Sequence, residues 1–500
     1  MEFFRTNAED PVFGTSATTQ RFFWLLVLLS LVPLCIVLPM APLRIGIAVI
    51  VGWIALLWIA ISIARGHFHY VIPLWVAVYP YCYYFFSFPA ERSIFTVDRA
   101  LIALLIIEML VVSRHGVATA PLTHDVRISA YLWGLYLLVC FLSLAGHAPS
   151  DVLPSYRSLV DGMLMPAVLG LYAIRYFPAL EDLKKLHICA CILGIGLFIT
   201  GMVELTTDID LFPWNGSVPM FTDTHIRRAD GPFEQQIVLT MVAALGFFFV
   251  VYLRRLMPRR ISPWRELLHK AGTLASFGAA LLPLNRGFVF SLAPIAIIDS
   301  FSKHRLISRR AWAAFFSAIL LAAIAAKVLD PRLYDDRVSG PDNVYQRVAQ
   351  HQETLRVVSE YPVLGVGFGL YHDVATQNPR YMVKWKGIES MNFPHNVLMT
   401  VLSEEGIVGL FFYVSAQFFL VRAMWKVRKA YPPGWLAYLY CVLVYVLTGL
   451  DFSTVSFSDI NLFYILILCA IYQQQVRMAY DQEFSAAGSS PDRNTPLQVA

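Results

Sequence analysis

Charge is scarce in this chain: Asp, Glu, Lys and Arg make up 15% of its 500 residues, against 57% hydrophobic and 14% aromatic. A water-soluble fold of this size has too little interior to hide so much apolar side chain, so the composition excludes an ordinary soluble protein. A bilayer is the solvent it fits. Cysteine is sparse too. All seven (Cys35, Cys82, Cys140, Cys189, Cys191, Cys441 and Cys469) fall inside apolar runs. Their spacing suits neither disulfides nor a structural zinc. No small-residue cleavage site follows the first apolar run after the polar stretch 1–20, so that run reads as a retained span and not a signal peptide. The formal net charge of +5 sits in short loops between apolar runs. It reports topology and gives no reason to expect a nucleic-acid partner.

What the chain has in abundance is apolar length. Runs near 22–40, 44–64, 69–87, 97–113, 128–146, 158–177, 185–205, 235–253, 268–284, 287–301, 311–329, 406–424, 434–450 and 459–477 predict an all-α polytopic membrane protein with about 14 transmembrane helices. The two runs around Asn285 have almost no loop between them and read as two short spans or one re-entrant hairpin. The chain then divides into an N-terminal segment 1–21, eleven spans over 22–329, a large loop 330–405, three spans over 406–477 and a disordered tail 478–500. Lys and Arg cluster in alternate loops, among them Arg254 to Lys270, Lys303 to Arg310 and Arg422 to Lys429. The opposite loops hold scattered Arg92, Arg157 and Arg286, and the one near Asp451 holds none. Retention of positive charge places the basic loops and both termini in the cytoplasm.

Two outer segments, 206–234 and 330–405, are too long for simple connectors, and long ordered loops usually carry function. In the second, Asp342 can cap a helix in which Val344, Val348, His351, Leu355 and Val358 recur at helical spacing. That stripe is expected on the protein or membrane surface. Pro362, Gly365, Gly367 and Gly369 bar a regular helix until Pro394, after which 397–405 predicts a short one.

An outer-facing site built on spans should contain ionisable residues that are expensive to place there. Arg286, in Leu-Asn-Arg-Gly, lies between two apolar runs, where an arginine costs roughly 3 kcal/mol on insertion scales. It is either a ligand-binding group or a snorkelling span end, and Gly287 beside it allows close backbone approach. Arg347 adjoins Val344 and Val348 and by spacing alone is the solvated flank of an amphipathic helix. Arg356, Arg380, Lys384 and Lys386 can hold anionic headgroups. His395, in Asn-Phe-Pro-His-Asn, stands at a helix start that disfavours imidazolium and leaves a neutral base. His147, His225, His351 and His372 compete with it. Glu404 and Glu405 orient a partner or mark the interface. The glycines from Gly365 to Gly369 form a turn or a phosphate cradle. Asp208 and Asp210 hold a divalent ion or are merely solvated.

The order of these motifs resembles the O-antigen ligase and polymerase family of bacterial envelope glycosyltransferases. The resemblance is strongest over 344–410: Tyr-Gln-Arg347, Tyr-Pro-Val-Leu-Gly-Val-Gly-Phe-Gly369, Pro-His395-Asn396, then Leu-Ser-Glu404-Glu-Gly-Ile-Val-Gly-Leu410. Weaker matches are Arg228-Ala-Asp-Gly-Pro-Phe233 and Asn285-Arg286-Gly287, where the family more often has serine before the arginine. The first seven spans match by hydropathy alone.

The resemblance implies a C-type membrane glycosyltransferase fold in a bacterial inner membrane, with a large periplasmic catalytic loop containing short helices. It implies a metal-independent, inverting transfer, with no cofactor, from an undecaprenyl-diphosphate-linked glycan to a glycan or lipid A-core acceptor. Arg286, Arg347 and His395 map onto the family's catalytic residues, with Arg228, Asn396 and Glu404 as substrate-binding candidates. Guanidinium groups would pair with the diphosphate as negative charge builds on it, and the imidazole would take or orient the acceptor proton. A protein O-oligosaccharyltransferase is the alternative within the family. A polysaccharide transporter or flippase is the alternative outside it, though such a protein should show internal repeats and the chain shows none.

Overall fold

The computed structural model describes residues 71–86, 96–114, 122–145, 147, 149–176, 180–207, 209, 211–212, 228–233, 235–258, 261–329, 342–390, 393–455 and 457–487. The expected N-terminal segment, the spans 22–40 and 44–64, Arg92, Asp208, Asp210, His225 and the end of the tail lie outside them. The described elements run in order α1 (Val71–Phe86), α2 (Val97–Arg114), α3 (His124–Ser143), α4 (Pro149–Leu159), a π-helical turn (Val160–Leu164), α5 (Met165–Tyr176), α6 (Leu180–Thr207), α7 (Gln236–Leu256), α8 (Pro263–Leu281), α9 (Arg286–Phe301) and α10 (Arg309–Leu329). After these come α11 (Asp342–Glu360), α12 (Tyr371–Gln377), a two-stranded hairpin of β1 (Lys384–Trp385) and β2 (Ile388–Glu389), α13 (Val397–Val427), α14 (Pro432–Gly449) and α15 (Ser458–Ala487).

Among the described residues, seven helices are long and apolar enough to cross a membrane. The pair around Asn285 consists of two separate helices of 19 and 16 residues, and Leu284 between them has a φ of 56°. The second is shorter than a full span. α7 is apolar on all sides and buried along almost its whole length, as a helix at the centre of a bundle must be. It packs against α6, α8, α14 and α15, while α3 lies along α13 and α5 along α15.

Local chemistry explains the irregular points. Pro166 lacks an N–H, so an α-helix through it would leave the carbonyl of Gly162 without its donor. The chain makes a π turn there, and Asn461 Nδ2 donates to that carbonyl at 3.1 Å. α13 begins at Val397 because Asn396 Oδ1 accepts from the amides of Leu398 and Met399 at 2.9 and 3.2 Å. It breaks at Gly406, whose φ of 68° and ψ of −167° leave the helix. Val366 N and Gly367 N donate to the carbonyls of Ser403 and Glu404 at 2.9 and 2.8 Å, and Ile407 N donates to Pro362 O at 2.9 Å. The two backbones approach so closely that a Cβ on Gly365 would overlap the carbonyl of Glu404, and one on Gly406 the carbonyl of Val363.

α13 kinks at Gly406, at the expected loop-to-span border 405/406. One boundary differs from the sequence reading. α15 continues past 477 to Ala487, through the first part of the expected tail; Gln482 Nε2 donates to Ala430 O at 2.9 Å and holds it against the α13–α14 connection. On α11 the apolar stripe lies at the surface, and a largely polar face is buried. Val344 and Leu355 are exposed, whereas Gln350, Glu353, Thr354 and Val357 are buried. Burial follows hydrogen bonding here: Tyr371 Oη donates to Glu353 Oε1 at 2.9 Å and lies 3.1 Å from Thr354 Oγ1, and Ser390 Oγ also bonds Glu353.

Candidate active site

Four stretches distant in sequence meet at one end of the bundle: the start of α9, the middle of α11, the start of α13 and the turn after α14. The hub is Asp451. Its Oδ1 lies 3.7 Å from Arg347 Nε. A Cβ on Gly287 would touch its Oδ2 at 3.0 Å, so a larger residue at 287 would crowd the carboxylate off the helix start. Arg286 is near enough for its charge to act on both Asp451 and Arg347. Arg286 itself is the first residue of α9, capped by Asn285, whose Oδ1 accepts from Phe288 N at 3.2 Å.

His395 reaches the same place from α13. Its ring lies 5.5 Å from that of Phe452, the neighbour of Asp451. Two contacts tie its stretch to the turn: Asn396 Nδ2 donates to Leu450 O at 3.1 Å, and Thr400 Oγ1 lies 2.8 Å from Ser453 Oγ. Arg228 abuts the α8–α9 connection, its Nε donating to Pro283 O at 3.1 Å.

The electrostatics follow from burial beside cations. The His395 imidazole is pulled down to about 3, by burial first and then by the Arg347 charge, so it is neutral at physiological pH. His351, one turn along α11 from Arg347, is lowered for the same two reasons. Burial raises the Asp451 carboxyl while Arg347 and Arg286 pull it back. Burial and Arg286 lower Arg347, and Asp451 opposes them. Asp451 keeps 46% of its side-chain surface accessible and Arg347 32%, so solvent reaches the pair although protein surrounds it. Arg347 Nη1 is nevertheless buried, and among the described residues it has no hydrogen-bond partner. Arg347 pairs loosely with the carboxylate, Arg286 acts on it through its charge, and a strong donor is left over. Such an arrangement suits an incoming polyanion.

The structure thus brings Arg286, Arg347 and His395 together and sets Arg228 beside them. Asn396 joins as a cap and a strut, with both ends of its amide engaged. Glu404 is engaged with the glycine loop: its Oε2 accepts from Gly369 N at 2.9 Å, which fastens that loop to α13. The amides of that loop are directed at α13 and at Ser143 Oγ and are not free to cradle phosphate. His372 stacks on Phe393 at 4.4 Å. Sequence reasoning missed Asp451. The signal was there, an acid directly after a span in a loop without a single basic residue.

A polytopic helical membrane protein with a cationic, imidazole-bearing cluster at one end of its bundle is the class these features define. Residues 235–414, from the start of α7 into the second half of α13, match the family model described as O-Antigen ligase. The matched segment contains Arg286, Arg347, His395, Asn396 and Glu404; Arg228 and Asp451 fall outside it. No curated protein matches the chain.

Proposed function

We propose that this protein transfers a glycan from an undecaprenyl-diphosphate carrier to a glycan or lipid A-core hydroxyl at the periplasmic face of a bacterial inner membrane, with inversion and without a metal. The observation that carries this reading is the convergence of Arg286, Arg347 and neutral His395 on Asp451. Diphosphate is a good leaving group only if the charge that grows on it is met. The Arg347 guanidinium, with a buried Nη1 lacking a partner, and Arg286 supply donors aimed at that charge. A neutral imidazole can accept the proton of an acceptor hydroxyl attacking the far side of the anomeric carbon. Asp451 holds the two arginines in register while no diphosphate is bound.

Orientation is supported by charge. The basic loops gather at the opposite end, where Arg255 donates to Arg305 O and Leu306 O, and Arg422 and Lys426 pair with Asp125. The positive-inside rule makes that end cytoplasmic and the cluster periplasmic. The acceptor decides between ligase, polymerase and protein O-oligosaccharyltransferase. The test supplies purified protein with a synthetic polyprenyl-diphosphate glycan and a panel of acceptors, with and without chelator. Chelator-insensitive transfer that is lost in His395→Ala is the expected result. Full activity in Arg286→Ala, Arg347→Ala and His395→Ala alike would remove this site.

A further inference from the structure

The stretch that delivers His395 also brings an aromatic ring to the surface. Phe393 stands two residues before His395 and is 50% exposed, and their Cα atoms are at most about 7 Å apart. A single exposed phenyl ring is ordinary on a protein surface. This one is held from both sides. The His372 imidazole lies flat against it, with ring centroids 4.4 Å apart and planes 10° from parallel. On the chain side the next residue, Pro394, is buried and its carbonyl accepts from Thr400 Oγ1 at 3.0 Å, which ties the stretch from Phe393 to His395 onto α13. His372 is fixed as well. It follows Tyr371, the buried first residue of α12, whose hydroxyl donates to Glu353 of α11 at 2.9 Å.

The surroundings decide what can cover such a ring. α12 turns Tyr371 and Ala375 inward and leaves His372, Asp373, Thr376 and Gln377 exposed. A face so polar belongs in water and not among acyl chains. On an aqueous flank, the partner of an ordered phenyl ring needs an apolar face and a polar rim. A lipid tail has no polar rim, and a diphosphate has no apolar face. A pyranose has both: its C–H bonds, polarised by the oxygens on the same carbons, are drawn to the negative face of an aromatic ring, while its hydroxyls point outward to water. The side chain of a serine or threonine has no ring face to lay on it.

We infer that the stack of Phe393 on His372 seats a sugar ring of the acceptor, and that the acceptor is therefore a glycan and not a protein serine or threonine. The inference rests on the proposed transfer, with His395 as its base, and names the residues that receive the acceptor. Since Phe393 and His395 are two residues apart on a stretch fastened to α13, a pyranose lying on the phenyl ring brings its own hydroxyls, or those of the next sugar, to the imidazole. Positioning of that kind turns a chance encounter into a directed attack.

The test holds the polyprenyl-diphosphate glycan donor fixed and titrates the glycan acceptor that wild type uses best, in wild type, Phe393→Ala, Phe393→Leu and Phe393→Tyr. Leucine keeps the apolar volume and loses the flat face; tyrosine keeps the face. The acceptor's KM is expected to rise about tenfold in Phe393→Ala and Phe393→Leu and to stay within about twofold of wild type in Phe393→Tyr, with kcat and the donor's KM little changed. The ring is half exposed, so all four proteins should share one Tm in detergent. Equal acceptor KM values throughout would overturn the seat while leaving the transferase reading intact. Recovery by leucine as complete as by tyrosine would also overturn it, since apolar contact alone would then suffice. A rise in the donor's KM in place of the acceptor's would put the donor glycan on the stack and overturn the assignment. A second measurement needs no variant: wild type is offered serine- and threonine-bearing peptides beside the glycan panel. Transfer to glycans alone is the expected result, and transfer to peptides alone would overturn the inference. Absence of transfer to any acceptor would overturn the reading on which it rests.

Discussion

The two ends of α9 each meet a carboxylate, and the two carboxylates are treated in opposite ways. At the far end Asp299 is fully buried and saturated. Its Oδ1 accepts from Leu306 N at 2.7 Å and Tyr440 Oη at 2.8 Å, and its Oδ2 from Ile307 N and Trp312 Nε1, both at 2.9 Å. At the near end Asp451 is half accessible and has one ion-pair contact at 3.7 Å. A buried charge with all its hydrogen bonds made is a structural joint, costly to disturb. A carboxylate shared loosely by Arg347 and Arg286 gives up its partners readily. The first fixes α9 against α14 and the loop before α10; the second leaves two guanidinium groups ready to change anions.

If that contrast is right, the largest effect is on the arginines. Arg286→Ala and Arg347→Ala should each lower transfer by about 10² to 10³ and leave thermal stability near wild type. Lysine at 347 should recover only part, since an ammonium lacks the bidentate fork. The opposite pattern is expected at the saturated end. Asp299→Asn places an amide NH₂ against two of the four donors and should cost about 3 kcal/mol of stability, read as a lowered Tm in detergent, with turnover per folded molecule unchanged. Variants that moved both readouts together would erase the distinction between joint and site.

Asp451→Asn is a finer probe. It keeps the shape that fits against Gly287 and removes the charge that registers Arg347. kcat/KM is expected to fall about tenfold, the worth of one charge-assisted contact, and mostly through KM, because Asp451 orders the arginines in the free enzyme and the bound diphosphate replaces it as partner. A fall in kcat with KM unchanged would instead keep Asp451 engaged with the arginines through the reaction.

The helices were legible because hydropathy and helix length are properties of the local sequence; described helices lie at every expected span from 69–87 onward, and seven of the described helices are long and apolar enough to cross a membrane. Arg286, Arg347 and His395 were legible as candidates because ionisable groups are rare in such a chain, and the resemblance supplied their order. What local sequence could not give was convergence. Asp451 looks like any acid at a span end until the turn after α14 is folded under Asn396. The buried polar face of α11 is not legible in the local sequence, because Tyr371 and Ser390, which bond Glu353, lie beyond the helix. Gly406 likewise reads as a span residue until its positive φ and the paired backbone of 362–367 are seen together.

The smallest expected effect is an absence. An ordinary histidine loses its basic form as pH falls through about 6.5, and kcat/KM would then show an acid limb there, since that ratio reports groups of the free enzyme. His395 is held at about 3, by burial and then by Arg347. Its neutral form therefore persists on acidification, and kcat/KM for the donor should stay level between about pH 5 and pH 8 as far as this group is concerned. The same shift has a consequence for stability. The unfolded chain takes up the His395 proton first, so this group withdraws stability as pH falls from about 6.5 toward 3, and none above that window. A limb centred near 6.5 in kcat/KM that persisted in His351→Gln would mean that His395 titrates as a solvated side chain. The imidazole would then lie outside the cluster that Arg347 and Asp451 define, and the near end of α9 would be no more than a second joint.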